Sequence, residues 1–227
     1  MIEYSNTLVM IPTLNEAQTI GRTIEDVQEH LPRCVVVVVD SYSDDGTATV
    51  AMELGADVID APRGGKGKAI RETLEEILSR YDHRHVIMID GDYTYPAKHL
   101  PELVLALERG TDVAIGRRAT REKGAMTDIN LVGNVCLSVL ASMLYRTIIR
   151  DVCTGMWAFR RSVLENMKLT SDKFTLEADM FVNVVKMKYR LEQFPIEYRA
   201  RPDDSMTKLG LKDGIEIGWF LFKARFS

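Results

Sequence analysis

The 227-residue chain reads as an α/β protein, with a mostly parallel sheet flanked by helices and a C-terminal amphipathic segment. Three observations predict this. Apolar stretches rich in β-branched residues alternate with stretches of helical period, three times over before Asp90 and with short connections, the signature of a parallel sheet covered by helices. Residues 35–39 are an unbroken run of valines, a pattern suited to a strand buried on both faces. A second apolar run, residues 85–89, stops abruptly at Asp90-Gly91-Asp92, and open α/β sheets hold ligands beyond the carboxyl ends of their strands.

Taken in order, residues 8–11 are the first strand, stopped by Pro12. Asn15 caps the first helix, with Gln18 as capping-box partner. Ile20, Ile24, Val27 and Leu31 recur at helical spacing and lay one face on the sheet. The valine strand ends at Asp40. Asp45-Gly46-Thr47 turns into a helix that stops at Gly55, a left-handed C-cap, and Val58-Ile59 is a short strand. Gly64-Gly65-Lys66-Gly67-Lys68 opens a helix carrying Ile70, Leu74, Ile77 and Leu78 on one side, and the central strand then runs to Asp90. Leu100, Leu103, Val104 and Leu107 mark the next helix, and residues 113–116 a strand ending in Arg117-Arg118. Beyond it come a long apolar helix at 131–149, a loop and short strand at 151–159, a helix at 175–189 and an edge strand at 194–198.

With 46% hydrophobic and 27% charged residues the chain has the material for one large α/β domain. A net charge of −4 gives no basic footprint for nucleic acid. Cys34, Cys136 and Cys153 lie far apart without metal-ligand spacing, which argues for a reducing compartment and against a disulfide framework. Met1-Ile2-Glu3-Tyr4 lacks the basic-then-apolar pattern of a signal peptide, so a cytoplasmic location is expected. There is no internal repeat and no low-complexity linker.

Polar groups gather at successive strand ends: Glu16 after the first, Asp40 at the second, Lys66 and Lys68 after the third, Asp90 and Asp92 at the fourth. Each alone also suits a local role, Glu16 as first-turn helix charge, Asp40 as strand terminator, Lys66 in a solvated loop, Asp-Gly-Asp as a turn. Together they point to a nucleotide crevice. Asp40 would accept hydrogen bonds from a base. Asp90 and Asp92 repel each other unless a cation lies between them, and hard oxygens suit Mg²⁺ or Mn²⁺ holding a diphosphate. The glycine-rich loop would let the backbone and the free N–H groups of a helix N-terminus approach phosphate, with lysine adding charge. Its spacing is not that of a Walker loop.

Pro12-Thr13-Leu14-Asn15-Glu16, Asp40 with Asp45-Gly46-Thr47, the Gly-Lys-Gly loop, Asp90-Gly91-Asp92 and Gly116-Arg117 follow one another as in family-2 glycosyltransferases. Within that family the chain resembles the polyprenyl- and dolichyl-phosphate hexose synthases over about residues 7–210. Gly124-Ala125-Met126-Thr127 with Gly133-Asn134 is similar to archaeal members that charge dolichyl phosphate from UDP-glucose or UDP-N-acetylglucosamine. The resemblance implies a GT-A-like, Rossmann-type fold. Residues 1–209 would form the transferase domain, 1–118 as the nucleotide-sugar half and 119–209 as the acceptor half, with 210–227 a membrane-interface tail. Pro12, Glu16, Asp40, Lys66, Asp90 and Gly91 would bind the nucleotide sugar, and Asp90 and Asp92 the metal. Arg117, Arg118, Asn134 and Lys208 would bind the acceptor, with Asp92, Arg117 and Glu177 as the catalytic set. The implied reaction is inverting hexosyl transfer that feeds glycoprotein or cell-surface glycan synthesis.

The match departs from relatives at 128–135, where Asp128, Leu131 and Val135 stand in place of basic residues. After Arg201 only Ser205 and Lys208 fit the relatives' loop. Asp40 suits either the imide N–H of uracil or the N1–H and amino group of guanine. A GDP-mannose donor and a non-lipid acceptor are therefore the alternatives. A nucleotide-sugar-binding module without turnover is disfavoured by the intact Asp90/Asp92 pair, and a nucleotidyltransferase by the lack of a glycine-rich segment after the first strand. A lipid acceptor demands a membrane approach. The 131–149 helix does not exceed the ~18 clean apolar residues of a spanning helix and reads as an interfacial or acceptor-binding helix, against a buried core helix. The tail mixes Trp219, Phe220, Phe222 and Phe226 with Lys223 and Arg225, as suits a peripheral helix at the cytosolic membrane face. Contact between copies in a homo-oligomer is its rival.

Overall fold

The computed structural model describes residues 4–202 and 210–226. Its strands are β1 (Thr7–Thr13), β2 (Val35–Asp40), β3 (Asp57–Asp60), β4 (His85–Met88), β5 (Val113–Arg121), β6 (Trp157–Arg160) and β7 (Leu191–Tyr198). They form one sheet in the order β3-β2-β1-β4-β6-β5-β7. All neighbours are parallel except β6, which runs antiparallel to both β4 and β5. The helices are α1 (Ile20–His30), α2 (Thr47–Glu53), α3 (Lys66–Arg80), α4 (Leu100–Glu108), α5 (Asp128–Tyr145), α6 (Arg161–Asn166), α7 (Leu176–Lys186) and α8 (Leu211–Arg225).

The valine run behaves as its composition requires. Successive side chains on a strand point to opposite faces, so Val37 and Val39 enter one core while Val36 and Val38 enter the other. The first core lies under α3 and α7 and takes in Ala141 and Tyr145 of α5 and Ile217 and Leu221 of α8. The second lies under α1 and α4, where Ile20, Ile24 and Val27 are fully buried with Leu100, Leu103 and Leu107. Strand order reverses between β1 and β4. The segments that follow them therefore diverge, opening a crevice at that switch point.

Several boundaries differ from the sequence expectation, each for a physical reason. β1 continues through Pro12. The Met10 carbonyl accepts from Ile89 N–H, so Pro12, two residues on, faces the same edge beyond the end of β4, where no N–H is needed. Asn15 does not cap α1. Its φ is 56°, its N–H donates to Ser43 Oγ at 2.8 Å and its side-chain oxygen accepts from Asp44 N–H, while Thr19 precedes the helix without a side-chain cap. β5 runs past Gly116 to Arg121 because β7 pairs with it along that whole length. α6, short and without a capping signal, was not anticipated.

α5 starts at Asp128, capped by Thr127 accepting from Asn130 N–H, and ends at Arg146 in the left-handed region with φ 53°. By length and composition alone it could cross a membrane. Yet it lies along α8: Tyr145 donates to the Leu221 carbonyl at 3.0 Å and Arg225 Nε to the Leu144 carbonyl at 2.8 Å. Its amphipathicity is inverted. Asn134, Ser138, Ala141 and Tyr145 face inward, while Ile129 (72% exposed), Val132, Val139 and Met143 (74%) face out.

Candidate active site

At the switch point the chain leaves β4 and makes a tight passage through Gly91. A Cβ there would meet Thr13 Cγ2 at 2.9 Å, so only glycine lets the Asp90–Asp92 segment lie against the end of β1. Asp92 is buried. Its Oδ1 accepts from Thr94 N–H at 3.1 Å and Thr94 Oγ1 at 2.6 Å, and its Oδ2 from Arg201 Nη2 at 2.5 Å. Burial and then the charge of Asp90 push its carboxyl above the usual range, against the opposing pull of Arg201. Asp90 Oδ1 accepts from Lys66 Nζ at 2.5 Å. The other edge of Asp90 lies on the backbone of Gly155, where a Cβ would fall 2.1 Å from Oδ2. Tyr95 secures that wall, its hydroxyl oxygen accepting the Gly155 N–H at 2.6 Å. Gly155 was not singled out from sequence, because nothing in its neighbours separates it from an ordinary turn glycine.

Lys66 bridges the sheet to α7. Its ammonium donates to Asp90 and, at 2.6 Å, to Glu177 Oε1. Burial disfavours the charge, but the two carboxylates outweigh it and hold the pKa well above the ordinary lysine value. The glycines beside Lys66 have a different purpose from the one expected. Gly67 N–H donates to the Lys173 carbonyl at 3.2 Å and Lys68 N–H to the Asp172 carbonyl at 2.8 Å, so these amides of the α3 N-terminus are not free for phosphate. A Cβ on Gly65 would lie 2.6 Å from the Asp172 carbonyl oxygen, and one on Gly67 2.7 Å from Ser171 Oγ. The glycines admit protein backbone.

Pro12 and Glu16 line the crevice beyond β1. Glu16 Oε2 accepts from Thr19 Oγ1 at 3.2 Å, and Glu16 N–H donates to Thr47 Oγ1 at 2.9 Å. Asp40 is buried below the rim. It accepts from Thr13 Oγ1 (3.1 Å), Ser43 N–H (2.9 Å) and Ser43 Oγ (2.6 Å), which fills three of the roughly four lone-pair positions of a carboxylate. Its neighbour Ser41 reaches the crevice wall instead.

On the other flank Arg118 is locked to Asp151. Its Nε and Nη2 donate at 2.8 and 2.7 Å and its backbone N–H at 2.9 Å. Burial alone would raise the Asp151 carboxyl, but the guanidinium more than offsets it and holds the group below the usual range. Asn134 Nδ2 completes the cluster at 2.8 Å from Asp151, and its buried Oδ1 has no hydrogen-bond partner among the described residues. Arg118 and Asn134 both line the crevice. Arg117, one residue earlier on β5, alternates to the opposite side, is half-buried and is not brought into the crevice. Lys208 lies outside the described residues.

Pro12, Glu16, Lys66, Asp90, Asp92, Arg118, Asn134 and Glu177 line one cavity of ≈ 460 Å³, within the usual range for a small-molecule site. From the charged end at Lys66, Asp90 and Asp92 it passes Arg118 and Asn134 and continues as an apolar trough between α5 and α8, walled by Ile129, Leu137, Leu211 and Ile215. The donor chemistry at the charged end fits a hard divalent ion. Two carboxylates one glycine apart supply the oxygens, and Asp92 is raised first by its burial and then by the charge of Asp90.

Residues 8–168 match the sequence profile of Glycosyl transferase family 2. Glycosyltransferase AglJ of Haloferax volcanii is 36% identical over 215 residues, spanning 94% of this chain and 69% of its own length. The dolichyl-phosphate hexose transferase of the same organism is 34% identical over 227 residues, spanning 98% and 96%. Among solved structures, glucosyl-3-phosphoglycerate synthase from Mycobacterium tuberculosis, in complex with Mn²⁺, UDP and glucosyl-3-phosphoglycerate, is similar with a TM-score of 0.73 at 20% identity, covering 98% of this chain and 80% of its own. Mannosyl-3-phosphoglycerate synthase from Rubrobacter xylanophilus has a TM-score of 0.74 at 19% identity, covering 96% and 72%. At such identities the likeness is one of fold, which is GT-A-like.

Proposed function

The chain belongs to glycosyl transferase family 2, and on that premise we propose that it moves one hexose from a nucleotide-diphosphate sugar to dolichyl or polyprenyl phosphate. The observation that carries this reading is the continuity of the cavity. A cluster of carboxylates and cations suited to a sugar diphosphate opens into an apolar trough between two helices whose outer faces are themselves apolar. A polar acceptor would have no use for the trough.

In this reading Pro12, Glu16 and the loop ordered by Asp40 hold the nucleoside, with uridine the base favoured by the archaeal resemblance. Lys66 spends two of its three donors on Asp90 and Glu177 and turns the third to the diphosphate. Mg²⁺ or Mn²⁺ on Asp90 and Asp92 would neutralise charge on the departing diphosphate. Arg118 and Asn134 receive the acceptor phosphate. That group needs no general base, because its second ionisation lies near pH ~6 and it is already anionic at neutral pH. Glu177, tied to Lys66, orients rather than abstracts. Attack opposite the leaving diphosphate inverts the anomeric centre. The trough and the outward faces of α5 and α8 bring the protein to the membrane, as a peripheral enzyme on the cytosolic face.

The test is transfer of label from UDP-glucose, UDP-N-acetylglucosamine or GDP-mannose into an organic extract containing polyprenyl phosphate, with Mn²⁺ present. Labelled lipid from a UDP-sugar is expected. Label from GDP-mannose alone would replace the base and sugar while keeping the acceptor. Transfer only to a water-soluble acceptor such as 3-phosphoglycerate would overturn the lipid reading.

A further inference from the structure

Asp179 is a buried carboxylate that is not among the residues lining the cavity, and its two oxygens accept four hydrogen bonds. Its Oδ2 accepts from Thr170 N–H at 2.5 Å, Ser171 N–H at 2.9 Å and Thr170 Oγ1 at 3.2 Å, and its Oδ1 from Asn183 Nδ2 at 3.0 Å. These bonds fix the segment 170–173. That segment in turn presents the Asp172 and Lys173 carbonyls to Lys68 and Gly67 at the head of α3, and Arg71 ties it from the α3 side through Asp172 at 2.9 Å. Two residues before Asp179 on the same helix, Glu177 grips the Lys66 ammonium. Residues two apart on a helix point to opposite sides. The first turn of α7 therefore clasps the head of α3 twice, by side chain through Glu177 and by backbone through the segment that Asp179 orders.

We propose that Asp179 is a positioning residue for Lys66, acting through the 170–173 segment to set where the lysine ammonium meets the donor diphosphate. Gly65 and Gly67 belong to this device, since a side chain at either would push the segment away. The assignment rests on the reading of Lys66 as a diphosphate contact given above.

The experiment compares binding of UDP and of uridine, by titration calorimetry at fixed Mg²⁺, to the wild type, Asp179→Ala, Lys66→Met and the double variant. A charge-assisted hydrogen bond lost at the diphosphate should weaken UDP binding by about tenfold or more. Uridine, which does not reach Lys66, should bind as before. The double variant should bind UDP no more weakly than Lys66→Met, because Asp179 acts through the lysine. Asp179→Asn, which keeps an oxygen for the Thr170 and Ser171 amides, should restore the wild-type ratio. Equal losses for UDP and uridine, or an additive double variant, would reduce Asp179 to a structural residue and overturn the proposal. Should Asp179→Ala not fold, Gly67→Ala attacks the same contact from α3 and must show the same UDP-specific loss. A wild type that binds neither UDP nor GDP, titrated in parallel, would remove the functional reading and this inference with it. A wild type that binds UDP, with Asp179→Ala and Gly67→Ala leaving the UDP-to-uridine ratio unchanged, would remove the inference alone.

Discussion

Arg117 and Arg118 are adjacent, carry the same charge and have nothing else in common. Arg118 is one half of a buried ion pair with Asp151, and breaking such a pair by removing one partner costs about 3–5 kcal/mol because the other charge stays buried. Arg118→Met should therefore lower the melting temperature by about 6 °C or more for a domain of this size, whereas Arg117→Met should stay within about 0.5 kcal/mol of wild type. The pH dependence of the first effect has a definite sign. Asp151 titrates below its unfolded value, so the stabilisation from the pair is fully present above about pH 3.9 and is lost as pH falls through the lower folded value. The gap in melting temperature between wild type and Arg118→Met should be widest where Asp151 is ionised in both proteins, begin to narrow as pH falls through the raised value of the unpaired buried carboxyl in the variant, and close below the lowered value of the wild type. Normal turnover of polyprenyl phosphate by Arg117→Met would exclude Arg117 as the acceptor clamp. A selective loss of acceptor turnover with an unchanged melting temperature would reinstate it.

Among the elements, α5 and α8 depart furthest from the habits of a water-soluble domain. Ile215, Trp219 and Phe222 on α8 and Phe226 just past its end are exposed, Trp219 66%, and α5 carries its own outward apolar stripe. Burying each such side chain is worth roughly 1.5–3 kcal/mol, and the proposed lipid acceptor makes a bilayer surface the expected place for that burial. A charge at Val139 and Met143, which stand outside the cavity lining, should abolish binding to vesicles of phosphatidylcholine with anionic lipid. UDP affinity and melting temperature should stay near wild type. If vesicle binding survives while gel filtration shifts from dimer to monomer, the stripe is a contact between copies of the chain instead. The central helices and strands were legible because their signals are local, as in the valine run of β2 or the spacing of Ile20, Ile24 and Val27 in α1. Asn15 misled because its capping propensity was overridden by Ser43 and Asp44, which fold back on it from after β2.

At the scale of the whole molecule, what sequence could reveal of the site was the gathering of Glu16, Lys66, Asp90 and Asp92 at one rim, since strand ends in a parallel sheet converge by construction. What it could not reveal was which groups face each other across long separations. The length of β5 depends on β7, the purpose of Gly65 and Gly67 on the segment before α7, and the wall behind Asp90 on Gly155. Under the proposed lipid acceptor, the outward apolar face of α5 would have a further, kinetic consequence. A protein resting on a bilayer meets its acceptor in two dimensions, so the governing quantity is the mole fraction of polyprenyl phosphate in the surface rather than its amount per litre. Mixing inert phosphatidylcholine into the vesicles at constant total acceptor should slow transfer in proportion. Diluting the whole suspension with buffer should leave the rate per bound protein nearly unchanged. A rate that instead tracked bulk acceptor concentration would mean that the face never settles on lipid, and that each acceptor is drawn out of the membrane before it reacts.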